Sequence, residues 1–105
     1  MERVYVVKLT VLYGHPEDPQ AFDDHYKNTH TPLVDKIPNL KNFEYAKVVG
    51  TPDGGEPEQY AVAELWFDDM ETFEASMGGD EGQTAAGDLP NFASGGATML
   101  VCEVE

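Results

Sequence analysis

"DPQAFDDHYKNTHTPLVDKIPNL" (18–40) reads as one helix interrupted near its end. Asp18 suits an N-cap and Pro19 the first helical position. Phe22, Tyr26, Thr29, Leu33 and Ile37 then fall on one stripe at helical spacing. Pro32 has no N–H to offer the Asn28 carbonyl, so a kink or a fresh turn is expected there. Ile37 precedes Pro38, and the helix should stop between them.

The flanking segments read as strands. "VYVVKLTVLY" (4–13) is β-branched and aromatic. Its odd positions from Tyr5 to Tyr13 are all apolar, while its even positions mix Val4, Val6 and Leu12 with Lys8 and Thr10. "KNFEYAKVV" (41–49) and "QYAVAELWF" (59–67) flank a Gly/Pro-rich hairpin loop at 50–58. A helix capped by Asp68 or Asp69 follows, with Met70, Phe73 and Met77 on one face. A short helix is expected over "EGQTAAGDL" (81–89) and a last strand over 95–105.

The order is strand, helix, strand, strand, helix, strand. That is an α+β, ferredoxin-like βαββαβ plan with a four-stranded antiparallel sheet, as one domain over residues 1–105. Helices cover one face of such a sheet. Val4, Val6 and Leu12, with Tyr60, Val62 and Trp66, make the other face too apolar for water. A second copy is its simplest cover, so a homodimer is expected. Lys8 and Glu64 fall on this face and can pair.

Twenty Asp and Glu face six Lys and Arg, a formal net charge of −14. This excludes a basic nucleic-acid surface and disfavours anionic membrane. The acids are scattered along the chain, which points to a halophilic protein, since salt screens such self-repulsion. Cys102 is alone and cannot form an intrachain disulfide. No apolar run reaches 18 residues and no signal-peptide pattern appears, so a cytoplasmic location is expected.

Three histidines are the candidates for chemistry. His15 sits in a turn and reads as solvated. His25 and His30 lie five apart on the first helix, about 140° around its axis, and so flank the apolar stripe on opposite sides. A metal pair on one helix wants a spacing of four, and no metal is expected. His30 lies beside Leu33 and Val34, just before the break. A half-apolar cleft there can move its pKa toward a working value for general acid–base chemistry. Spacing alone rather favours a partly buried histidine bonded to backbone.

"LYGHPEDPQAFDDHYKNTHTPLVDKIPNL" (12–40), "AELWFDDMETFEASM" (63–77) and "EGQTAAGDLPNFASGGAT" (81–98) together resemble the EthD family. His30-Thr31-Pro32-Leu33 matches that family's His-x-Pro-Leu helix end. The resemblance implies a dimeric α+β barrel, with a small apolar pocket between helix and sheet that His30 faces. Proteins of this fold include cofactor-free monooxygenases, cyclases, decarboxylases and haem-handling proteins, and many EthD relatives carry an oxidoreductase label. No nucleotide-binding glycine motif is present, and no cofactor is expected. A haem held by His30 or His25 lacks a second placed ligand.

Two functions follow as expectations. One is an enzyme acting on a small apolar oxygenated compound, such as a phenol, quinone or ring ketone. His30 would move a proton, Tyr13 and Tyr26 would orient the oxygen, and Leu33, Trp66, Phe92 and His25 would line the pocket. The other is a non-catalytic small-ligand-binding accessory protein of an oxidative degradation system.

Overall fold

A computed structural model of the chain describes residues 4–105; the first three positions of the 1–105 span lie outside the described residues. The elements are β1 (Val6–Gly14), α1 (Pro19–His25), a π-helical turn (Tyr26–His30), α2 (Thr31–Asp35), β2 (Asn42–Lys47), β3 (Gln59–Phe67), α3 (Met70–Gly78), α4 (Asp80–Gly87), a 3₁₀ turn (Leu89–Asn91) and β4 (Ala97–Val104). The strands form one antiparallel sheet in the order β2-β3-β1-β4. This is the expected ferredoxin-like α+β plan.

Alternation decides the two faces of the sheet. Val7, Leu9, Val11 and Tyr13 of β1, with Ala61, Ala63, Leu65 and Phe67 of β3, are buried with Phe22, Tyr26, Val34 and Ile37. The opposite face carries Lys8, whose Nζ lies 2.8 Å from Glu64 Oε2, and Thr10, which donates to the same carboxylate. Leu100 and Val104 of β4 lie opposite Thr10 and Val6 on that face and are 48% and 43% exposed. No helix among the described residues is long and apolar enough to cross a membrane.

Local signals act as expected at the helix starts. Asp18 accepts from the Ala21 N–H with Pro19 in the first turn, and Asp69 accepts from the Thr72 N–H at 2.7 Å. In α3 the fully buried residue is Ser76; Phe73 and Met77 are half-buried and Met70 is exposed.

Two readings are corrected. Tyr60 does not lie on the outer face with Val62 and Trp66. Tyr13 pairs with Ala61 but Gly14 pairs with Gln59, so Tyr60 is the extra residue of a β-bulge. The bulge turns its ring onto Phe22, and its hydroxyl donates to Asp23. The helix stripe also differs. The buried positions are Phe22, Tyr26, His30, Val34 and Ile37, whereas Thr29 is exposed and Leu33 half-buried. The cause is the π-turn, where the Thr31 N–H bonds to the Tyr26 carbonyl five residues back. The widened turn takes up one extra residue ahead of Pro32, whose ring and missing N–H conflict with an ordinary α-helical turn.

Candidate active site

The π-turn builds the site. In an α-helix His25 and His30 would point about 140° apart. An i to i+5 turn closes after five residues instead, so the two imidazoles come to the same side. The expectation that they flank the stripe on opposite sides is thereby overturned. Both reach the carboxylate of Asp88, at the end of α4. His25 Nε2 lies 2.9 Å from Oδ1 and 3.0 Å from Oδ2, and His30 Nδ1 lies 3.0 Å from Oδ2. The Asn91 amide donates to Oδ1 at 3.0 Å.

Charge follows from these bonds. His30 and Asp88 are 5% and 6% exposed. Burial alone would push the Asp88 carboxyl up, but donors from Asn91, His25 and His30 outweigh it and hold it below the usual range. An ionised carboxylate only accepts, so the ring nitrogens that touch it carry their hydrogens. Nε2 of His30 then bears the lone pair, and it has no hydrogen-bond partner among the described residues. Burial lowers the His30 pKa more than Asp88 raises it, so the ring is neutral near pH 7. Both imidazoles aim hydrogens at Asp88, which leaves no converging lone pairs. Correspondingly, no metal-holding group is found among the described residues.

Aromatic rings enclose the pair. Phe92 packs on His25 and on His30, with centroids 5.1 and 4.8 Å away. Tyr26 lies 5.1 Å from His30 and contacts Tyr13 at 5.8 Å. Tyr13 is 1% exposed and packs among Phe22, Tyr26 and Phe92. Burial drives the Tyr13 and Tyr26 phenols well above their ordinary value. His30, Tyr26, Tyr13, Phe92 and His25 therefore come together.

Two candidate wall residues do not join them. Trp66 lies on the opposite face of the sheet, under Lys8, because its position in β3 alternates with buried Leu65 and Phe67. Leu33 faces a separate surface cleft with Lys36, Asp80, Glu81 and Thr84, because the π-turn gives its place on the stripe to Val34. His15 Nε2 donates to the Pro57 carbonyl at 2.9 Å, and the side chain stays exposed. Sequence reasoning missed Asp88 and Asn91. One signal was legible: an acid at a helix C-terminus opposes the macrodipole and needs donors to hold it there.

Residues 14–96 match the EthD domain. The chain is also 45% identical over 98 residues to an uncharacterised 11.0 kDa protein from the thcB-thcC intergenic region of Rhodococcus erythropolis, covering 93% of this chain and 94% of that one.

The chain belongs to the EthD family.

An EthD family protein from Bacillus halodurans superimposes on it with a TM-score of 0.89 at 42% identity, over 95% of this chain and 99% of that one. A hydroxynitrile lyase from Passiflora edulis matches with a TM-score of 0.78 at 13% identity, over 98% and 96% of the two chains. Three dimeric ferredoxin-like proteins match at 12% to 19% identity with TM-scores of 0.67 to 0.72. At such identities only the EthD fold is shared.

Proposed function

We propose that this EthD protein is an enzyme that moves a proton on a small, apolar, oxygen-bearing compound. Nε2 of His30 acts as the base and then, protonated, as the acid. One observation carries the reading: a buried carboxylate, Asp88, holds Nδ1–H of a neutral, buried histidine at 3.0 Å. Such a pair fixes the tautomer and stabilises the imidazolium formed when the base takes its proton. Burial holds His30 below the ordinary histidine value, so the ring is a free base at neutral pH and gives the proton back readily. Neither step needs a cofactor or an electron donor. The lyase activity of the Passiflora protein fits proton chemistry on this fold, though at 13% identity it fixes no residue here.

Homodimerisation belongs to the same proposal. Leu100, Val104 and Val6 stay 43% to 48% exposed in one copy, beside Leu12, Val62 and Trp66. An apolar face of this extent favours a like face of a second copy.

The test is a paired thermal-shift screen of the wild type and His30→Ala against phenols, quinones and cyclic ketones. It is run in high salt, because a net charge of −14 repels itself at low salt. A ligand at about 100 times its dissociation constant adds roughly 2.7 kcal/mol. Ketone hits are then followed by NMR for deuterium uptake at the acidic carbon. The reading expects uptake with the wild type and none with His30→Ala. Hits that bind both proteins equally and exchange nothing would overturn it, in favour of a non-catalytic ligand carrier.

A further inference from the structure

We infer that the cleft beside the π-turn binds a flat, single-ring compound through an oxygen that is held as an oxyanion by the hydroxyls of Tyr26 and Tyr45. The ligand class is a phenolate, or the enolate of a ring ketone. The inference rests on the reading of His30 as a base and names the substrate class for it.

The cleft has a volume of about 320 Å³ and is lined by Asp23, Tyr26, Lys27, Thr31, Tyr45 and Lys47. This is at the small end of ligand sites, enough for one ring. Tyr26 comes from the π-turn and Tyr45 from β2, and their rings stack at 3.9 Å and 20°. Both hydroxyls are buried; that of Tyr45 has no hydrogen-bond partner among the described residues, and that of Tyr26 has only the neighbouring Tyr13 phenol, outside good hydrogen-bond geometry. Tyr26 is 3% exposed. A buried hydroxyl without a partner costs stability, and two adjacent ones of this kind point to a role in binding.

Their chemistry selects the ligand. Burial pushes the Tyr45 phenol up to about 12 and the Tyr26 phenol further. Both keep their hydrogens at any working pH and act as donors. Two phenol hydrogens that can converge on one oxygen suit an oxygen that carries negative charge, although each phenol oxygen can also accept. The rim adds to this preference. Lys47 is held by Asp23 at 2.9 Å and donates to the Tyr60 hydroxyl at 3.0 Å, so the Asp23 charge is already paired. Lys27 is exposed and has no ion-pair partner among the described residues. In a chain with 20 acids, this mouth keeps a cation free.

The cleft reaches toward the base through Tyr26, whose ring lies 5.1 Å from the His30 ring; His30 itself is buried behind Tyr26 and is not among the residues that line the cleft. Nε2 of His30 takes the proton from the carbon next to a ring carbonyl. The C–H electron pair forms the enolate double bond, and the carbonyl π pair moves onto the oxygen facing the tyrosines. The imidazolium returns the proton to carbon. For a phenol the O–H proton goes to Nε2 and the pair stays on oxygen. No oxidant or reductant is consumed. A quinone has no acidic proton to give in this way and is disfavoured.

The experiment titrates para-nitrophenol into the intact protein in high salt and reads the phenolate absorption across pH. The wild type should bind the phenolate and lower the apparent pKa of the ligand. Tyr26→Phe and Tyr45→Phe should each weaken binding roughly ten- to hundred-fold and remove the pKa shift. The melting temperature of Tyr45→Phe should not fall, because its hydroxyl bonds nothing among the described residues; Tyr26→Phe also loses its approach to the Tyr13 phenol. Absence of wild-type binding, binding of the neutral phenol, or equal binding by a folded Tyr45→Phe would each overturn the inference. His30→Gln should still bind the phenolate. If it does, and the wild type exchanges no deuterium into ring ketones, the oxyanion cleft stands and the base reading alone fails.

Discussion

His30 donates from Nδ1 to Oδ2 of Asp88 across 3.0 Å, joining the π-turn of the first helical segment to the far end of α4. Residues 58 apart in sequence thereby share one buried hydrogen bond, and the same carboxylate takes a second from His25. Asp88→Asn keeps the shape but removes the charge and can present an amide hydrogen to the rings. Proton-transfer activity should fall by on the order of 10²–10⁴-fold, and stability by roughly 1–3 kcal/mol. Urea denaturation and deuterium exchange into a ligand would measure both. Unchanged exchange would remove Asp88 from the mechanism.

Acid should unfold the protein in two stages. Burial holds the His30 pKa below the ordinary histidine value, against the pull of Asp88 and with a smaller push from His25. Just below the free-histidine pKa the unfolded chain binds a proton that the folded chain refuses. This contribution is therefore complete above about pH 6.5 and is lost as pH falls from there toward the folded His30 value. Asp88 is also depressed, so its contribution is present above the free-aspartate range and lost as pH falls through its folded value. Urea midpoints against pH should show both limbs, and His30→Gln should lack the upper one. A wild-type midpoint that stays flat through the histidine range would contradict the burial argument.

Deleting the exposed Asn28 should shorten the π-turn by one residue, leaving Pro32 to kink the tighter turn, and carry His30 away from Asp88. Imidazole NMR would then lose the Nδ1–H tautomer signal of His30 while far-UV circular dichroism stays that of a folded chain. A retained signal in the deletion variant would mean that packing, not residue count, sets the register.

Gly14 and Gly95 let the end of β1 run against the approach to β4. A Cβ on Gly14 would run into the Gly95 carbonyl oxygen, which is backbone and cannot step aside. Gly14→Ala should cost about 1–3 kcal/mol by overpacking. Gly50→Ala is the control, since its Cβ would meet nothing within 4 Å among the described residues. Equal melting temperatures for the two variants would show that this approach is loose.

Leu100→Glu places a charge on the apolar outer face. Sedimentation equilibrium should find the wild type dimeric and this variant monomeric, with helix content unchanged. A dimeric variant would move the interface elsewhere.

The element order, the strand faces and the helix starts were legible in the chain. They rest on side-chain alternation and on caps such as Asp18 and Asp69, which act over two to four residues. The EthD resemblance was legible as well. What tertiary structure alone decided begins with the π-turn, because a proline announces a break but not which hydrogen bond replaces the lost one. From that turn follow the buried position of His30 and the meeting of His25 with it. The bulge at Tyr60 is of the same kind, since strand register is set by the partner strand. Asp88 stood out only as an acid at the wrong end of a helix. Its donors come from α1, the π-turn and the 3₁₀ turn, and only packing brings them within 3 Å of one carboxylate.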